Sequence, residues 1–114
     1  MRLWHITAHG RERVRRETVI KGETVKLGID WNGYLGWRSS ATVSSSAWAT
    51  EDGNITLSSA TNSGGVTGTT VAASSVGEAI VKNTATLSNG EILVRKFRLS
   101  VVDPDVERLE DYQG

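Results

Sequence analysis

The chain has 114 residues, no cysteine, and 13 Lys and Arg against 13 Asp and Glu. That length suits one domain, and the missing cysteines exclude disulfides, thiolate metal sites and a cysteine nucleophile. No stretch approaches the roughly 20 apolar residues of a membrane span, and the first residues lack the apolar run of a signal peptide, so the chain reads as made in a reducing cytoplasm or for a bacterial or viral particle.

The neutral total hides an uneven distribution. Residues 1–17 carry Arg2, Arg11, Arg13, Arg15 and Arg16 against Glu12 and Glu17, and read as a basic N-terminal arm. "RERVRR" could meet phosphates, or lie as a solvated or helical arm against the protein's own acids. Leu3, Trp4 and Ile6 could instead dock as an added strand on a neighbour's sheet edge. His5 and His9 share a helical spacing, but a third metal ligand is missing nearby and Gly10 intervenes.

Residues 18–102 read as β throughout. "ETVIK" is a short edge strand. "ETVKLGIDW" places Val25, Leu27, Ile29 and Trp31 on one face, with Glu23 at its exposed end. "ATVSSSAWAT" is a weaker strand ending near Trp48, with Glu51-Asp52-Gly53-Asn54 as its turn. "NITLSS" aligns Ile55 with Leu57, and "VTGTTVAAS" aligns Val71 with Ala73. "GEAIVKNTATLS" aligns Ala79, Val81, Ala85 and Leu87, with a polar Asn83 in the row. "EILVRKFRLSVV" aligns Leu93, Phe97, Leu99 and Val101, with Arg95 in the row. About seven strands and no convincing amphipathic helix predict an antiparallel, immunoglobulin-like sandwich.

The last two strands fix a register. A two-residue Asn-Gly loop would set their apolar rows on opposite faces. A three-residue loop, Ser88-Asn89-Gly90 with Gly90 left-handed, aligns Ala85 with Leu93, Asn83 with Arg95, Val81 with Phe97 and Ala79 with Leu99. Burying both rows together is worth about 1.5–3 kcal/mol per large side chain, which outweighs turn preference.

"DWNGYLGW" poses the main functional question. Trp31 ends its strand facing inward, and the following residues cross the end of the sandwich. Tyr34 and Trp37 either lid the core or stand exposed, with Arg38, as anchors for a partner. Asp30 is expected to cap the Asn-Gly turn.

After Pro104 ends the last strand, residues 103–114 form an acidic tail, with Asp103, Asp105, Glu107, Glu110 and Asp111 against Arg108. "DVERLEDY" places Val106, Leu109 and Tyr112 on one helical face, too short to be stable alone. A basic start and an acidic end suit head-to-tail contacts between copies, which close into rings where the rotation permits.

Chemistry is sparse. A G-x-S-x-G elbow is missing, Glu51-Asp52 is turn chemistry more than a carboxylate pair, and "NSGGVTGTT" lacks the lysine and helix of a phosphate loop. Asn54-Ile55-Thr56 is a chance sequon. Neither a cofactor nor a catalytic or metal site is expected.

The run "IDWNGYLGWRSSATVSSSAWATEDGNITLSS" and the strands after it resemble a family of small tailed-phage virion proteins, the fiber–tail adaptors. The resemblance spans roughly residues 20–102 and rests on Asp30-Trp31, Leu35-Gly36, Ser45 to Trp48, Gly68-Thr69 and the final hairpin. It implies an immunoglobulin-like virion part joining tail or neck to fibres, without an active site. Its partners would be other virion proteins (tail, neck, fibre or portal) and further copies of itself, a ring being one such arrangement, with neither nucleic acid nor membrane expected. The arm and tail match nothing in the family pattern. A capsid decoration protein of the same fold and a carbohydrate-binding module stacking sugars on Tyr34 and Trp37 are the alternatives, and an enzyme comes last.

Overall fold

The computed structural model describes residues 1–7, 12–38 and 41–104, and of Trp37 and Arg38 the helical backbone only. Its elements are β1 (Arg2–His5), β2 (Val14–Ile20), β3 (Thr24–Asp30), α1 (Asn32–Arg38), β4 (Val43–Thr50), β5 (Ile55–Ser63), β6 (Val66–Ala73), β7 (Gly77–Leu87) and β8 (Ile92–Val102). They form a sandwich of two four-stranded sheets, ordered β1-β3-β6-β5 and β2-β8-β7-β4. The fold is the all-β sandwich that strand alternation predicts, with a difference at one edge of each sheet. β1 joins β3, and β2 joins β8, in parallel; the remaining pairs are antiparallel. The sheets are therefore mixed.

A tight corner carries the chain from one sheet to the other between the two parallel additions. β2 ends in one sheet and the chain turns at Gly22 (φ 95°) into β3 of the other. The corner is bonded to both sheets, Lys21 N–H donating to Val102 O (2.8 Å) and Gly22 N–H to Ala73 O (2.9 Å). Glu23 stays exposed, and its carboxylate accepts from Ile20 N–H at 2.7 Å.

Where the sequence suggests a basic arm over residues 1–17, its described part is largely built into the sandwich. Trp4 is 1% exposed and meets Phe97 edge-on, with ring centroids 5.5 Å apart. Ile6 is also buried, and its N–H donates to Asp30 O at 2.9 Å. β2 hides its strand character behind charge. Arg15 and Glu17 fall on one side and pair at 3.4 Å, while Arg16 points to solvent on the other. An edge strand tolerates such charges because one of its sides stays wet.

The β7–β8 hairpin takes the predicted register. Ala85 faces Leu93, Asn83 faces Arg95, Val81 faces Phe97 and Ala79 faces Leu99. Leu87 N–H donates to Glu91 O at 2.8 Å, and Gly90 has a φ of 92°. A Cβ at Gly90 would meet nothing within 4 Å, so Gly90→Ala should cost only the left-handed backbone penalty, about 1–2 kcal/mol. Thermal unfolding of the variant with an otherwise native circular dichroism spectrum checks this.

Candidate interaction surfaces

The stretch "DWNGYLGW" folds as a strand end followed by one short helix. Asp30 Oδ1 accepts from Asn32 N–H (3.0 Å) and Asn32 Nδ2 (2.9 Å), so the carboxylate does cap this turn, but the turn continues as α1. Its other oxygen, Oδ2, lies 3.1 Å from His5 Nδ1. Asn32 Nδ2 also donates to Gly64 O (2.9 Å), and Trp31 N–H to Gly65 O (2.9 Å), tying the corner to the β5–β6 turn. Gly33 is needed for close approach: a Cβ there would lie 2.6 Å from Ile6 O. The first helical turn thus clamps the end of β1.

Beneath the corner runs a buried polar chain. Trp31 Nε1 donates to Thr67 Oγ1 (3.1 Å), and Thr67 donates to Asn83 Oδ1 (3.0 Å). Asn83 Nδ2 donates to Ser46 Oγ (2.8 Å) and Ala47 O (3.1 Å), reaching β4. Arg95, opposite Asn83, is buried with its guanidinium 5.4 Å from the Trp31 ring centroid, in cation–π range. Burial pulls the Arg95 pKa below its ordinary value, the charge of Arg13 adds to this, and Tyr34 opposes it. The guanidinium stays protonated, because arginine starts so far above neutrality. The two polar exceptions in the apolar rows thus belong to one core network.

Of the candidate contact residues, Trp4 is core, and Tyr34, 7% exposed, lids the core beside Leu35. Leu3 lies half-buried on the outer face of its sheet, beside Gly28. Arg15 is tied to Glu17, Arg16 is exposed, and Arg13 lies close enough to Arg95 to affect it. Arg11, Leu109 and Tyr112 lie outside the described residues, as do the side chains of Trp37 and Arg38. The structure therefore brings Trp31, Tyr34 and Arg95 together, and separates them from Arg16.

Sequence reasoning missed the outer face of the β2-β8-β7-β4 sheet. There Arg16 stands directly across from Arg98, and Lys82 across from Lys96. All four are exposed. The signal was present in "KFRLS", whose Lys96 and Arg98 occupy the parity opposite to Phe97 and Leu99. Among the described residues, no group of three or more His, Cys, Asp or Glu is placed to hold a metal ion.

Residues 21–100 match the family model of the podophage GP4 fiber-tail adaptor protein gp77. The chain belongs to this fiber–tail adaptor family. The match covers β3 through most of β8, the antiparallel body of the sandwich, and stops short of β1 and β2. No curated protein matches the chain. Among solved structures, the 2,6-sialyltransferase of Photobacterium sp. JT-ISH-224 aligns with a TM-score of 0.54 and 20% identity, over 82% of this adaptor chain and 18% of the enzyme. The adaptor chain therefore spans less than a fifth of that protein's length. The PKD domain from KIAA 1837 protein aligns with a TM-score of 0.51 and 15% identity, over 80% of this chain and 81% of that one. Both likenesses concern the sandwich fold alone.

Proposed function

We propose that this protein is a structural part of a tailed-phage particle, present in several copies, that joins tail or neck to fibres through protein–protein contacts and catalyses nothing. The family match over residues 21–100 carries this reading. The internal polar groups agree with it. Thr67, Asn83 and Arg95 are buried and serve the core, so the molecule offers its partners shape and charge. The protein is made in the host cytoplasm and resides in the virion. The carbohydrate-binding reading loses one platform, because Tyr34 is buried and cannot pair with Trp37 as an exposed stacking surface.

The test is particle composition. Phage grown without this protein should yield particles with normal capsids that lack fibres or the tail segment holding them, and supplying the protein should restore them. Particles with a full set of fibres in its absence would sink the adaptor role. Loss confined to capsid stability would favour the capsid-decoration reading.

A further inference from the structure

Two like-charged pairs directly across a sheet are an unusual arrangement, because each destabilises the sheet that carries it. On this outer face Arg16–Arg98 and Lys82–Lys96 are such pairs. The ion pairs formed among the described residues are Arg2–Glu17, His5–Asp30 and Arg15–Glu17, none of which involves these four. The acids on the border are held to the sheet or stand at its rim. Glu78 accepts from Ser100 Oγ (3.0 Å), Asp52 accepts from Ile80 N–H (2.8 Å), and Glu51 stands exposed at the β4 side.

The same face is apolar at one end. Val14, Ile92 and Val94 are 42%, 63% and 39% exposed and line one shallow depression with Lys96. Cations beside an exposed apolar patch call for a segment with acids beside an apolar row. This chain has one: Val106, Leu109 and Tyr112 recur every third residue among Asp105, Glu107, Glu110 and Asp111.

We propose that the outer face of the β2-β8-β7-β4 sheet receives the acidic C-terminal segment of a neighbouring copy. The reach of the chain favours a neighbour over the same molecule. The segment leaves the sheet at Val102, eight residues along β8 from Val94, roughly 26 Å at the rise of a strand. A nine-residue segment bound as a helix, with its apolar row on one side, would rise only roughly 12 Å. Bound in that form, it would fall short of the apolar end of its own sheet. A tail-on-face contact joins different surfaces of two copies, so it propagates into a ring or a filament. This deepens the multi-copy adaptor reading and rests on it.

The experiment uses full-length chains and light scattering across a range of salt. The wild-type protein should associate at low salt and dissociate at high salt. Lys82→Glu with Lys96→Glu (reversed face) and Glu107→Lys with Glu110→Lys (reversed tail) should each stay monomeric. Mixing the two variants should restore association, since each then offers what the other's unlike surface needs. All four exchanged sites are charged, and native circular dichroism spectra confirm folding. Association unchanged in either variant, a mixture that stays monomeric, or a wild-type chain monomeric at every concentration would overturn the inference. Fibre attachment in particles carrying the same variants separates the two readings: fibres retained without self-association would remove this contact and leave the adaptor role standing.

Discussion

Trp4→Ala should destabilise the protein by about 3–5 kcal/mol, the range for emptying a buried aromatic site. The residue is the fourth in the numbering, in a stretch whose composition reads as a basic arm. Yet Trp4 is 1% exposed, covers the edge of Phe97, and lies beside Ile29 in the register of β1 on β3. Removing the indole leaves a cavity that the strand cannot close without drawing Ile6 off the first turn of α1. Urea unfolding should show a lower midpoint with an unchanged slope, the mark of lost stability without a changed denatured state. Leu3→Ala, on the outer face of the same strand, should cost much less. A loss below about 0.5 kcal/mol for Trp4→Ala, the ordinary range for surface sites, would mean that β1 is not a working part of the core.

The second large effect concerns the buried hydroxyl of Thr67. It accepts from Trp31 Nε1 and donates to Asn83 Oδ1, and Thr67 is 0% exposed. Thr67→Val keeps the shape and orphans both neighbours at once. With about 1–3 kcal/mol for each buried group left unsatisfied, the expected loss is about 2–6 kcal/mol. Thr67→Ser keeps the hydroxyl and loses one methyl group, so it should cost about 1 kcal/mol. The ordering of the two variants in chemical unfolding is the measurement. Equal losses, or a milder effect for valine, would show that the hydrogen-bond chain contributes little and that packing alone sets the value.

Much of the sandwich was legible because its strands carry enough large apolar residues to decide register. Val81, Leu87, Phe97 and Leu99 can be buried together in only one alignment of β7 on β8, so the hairpin loop followed from packing. The polar exceptions Asn83 and Arg95 could be placed opposite each other for the same reason, although their link through Thr67 to Trp31 is a three-dimensional fact with no local sign. The edges were harder. β1 offers Trp4 and little else within four residues, and β2 alternates between charges on both faces. Nothing local separates a strand that pairs with its own sheet from one awaiting a neighbour. Parallel pairing compounds this, since no hairpin announces it. The helix α1 carries the local signature of a turn, because Gly33 and Gly36 are poor helix formers; the close approach of Ile6 to Gly33 is a contact between distant parts of the chain. Of the contact candidates, Trp4 and Tyr34 were chosen for residue type, and type alone cannot distinguish an interface aromatic from a core one.

The pairing of β2 with β8 has a consequence for how the protein is made. β2 emerges from the ribosome early, but the strand it pairs with, Val14 against Lys96 through Ile20 against Val102, follows every other element of the fold. β1 likewise waits for β3. Until β8 appears, the basic strand and the inner apolar faces of the other sheet stand without their partners, the condition in which nascent β-proteins are open to off-pathway pairing. The arginines of β2 then have a use before folding is complete. A strand with charges on both of its faces is a poor template for pairing with copies on neighbouring nascent chains, and so stays available for the late partner it was waiting for.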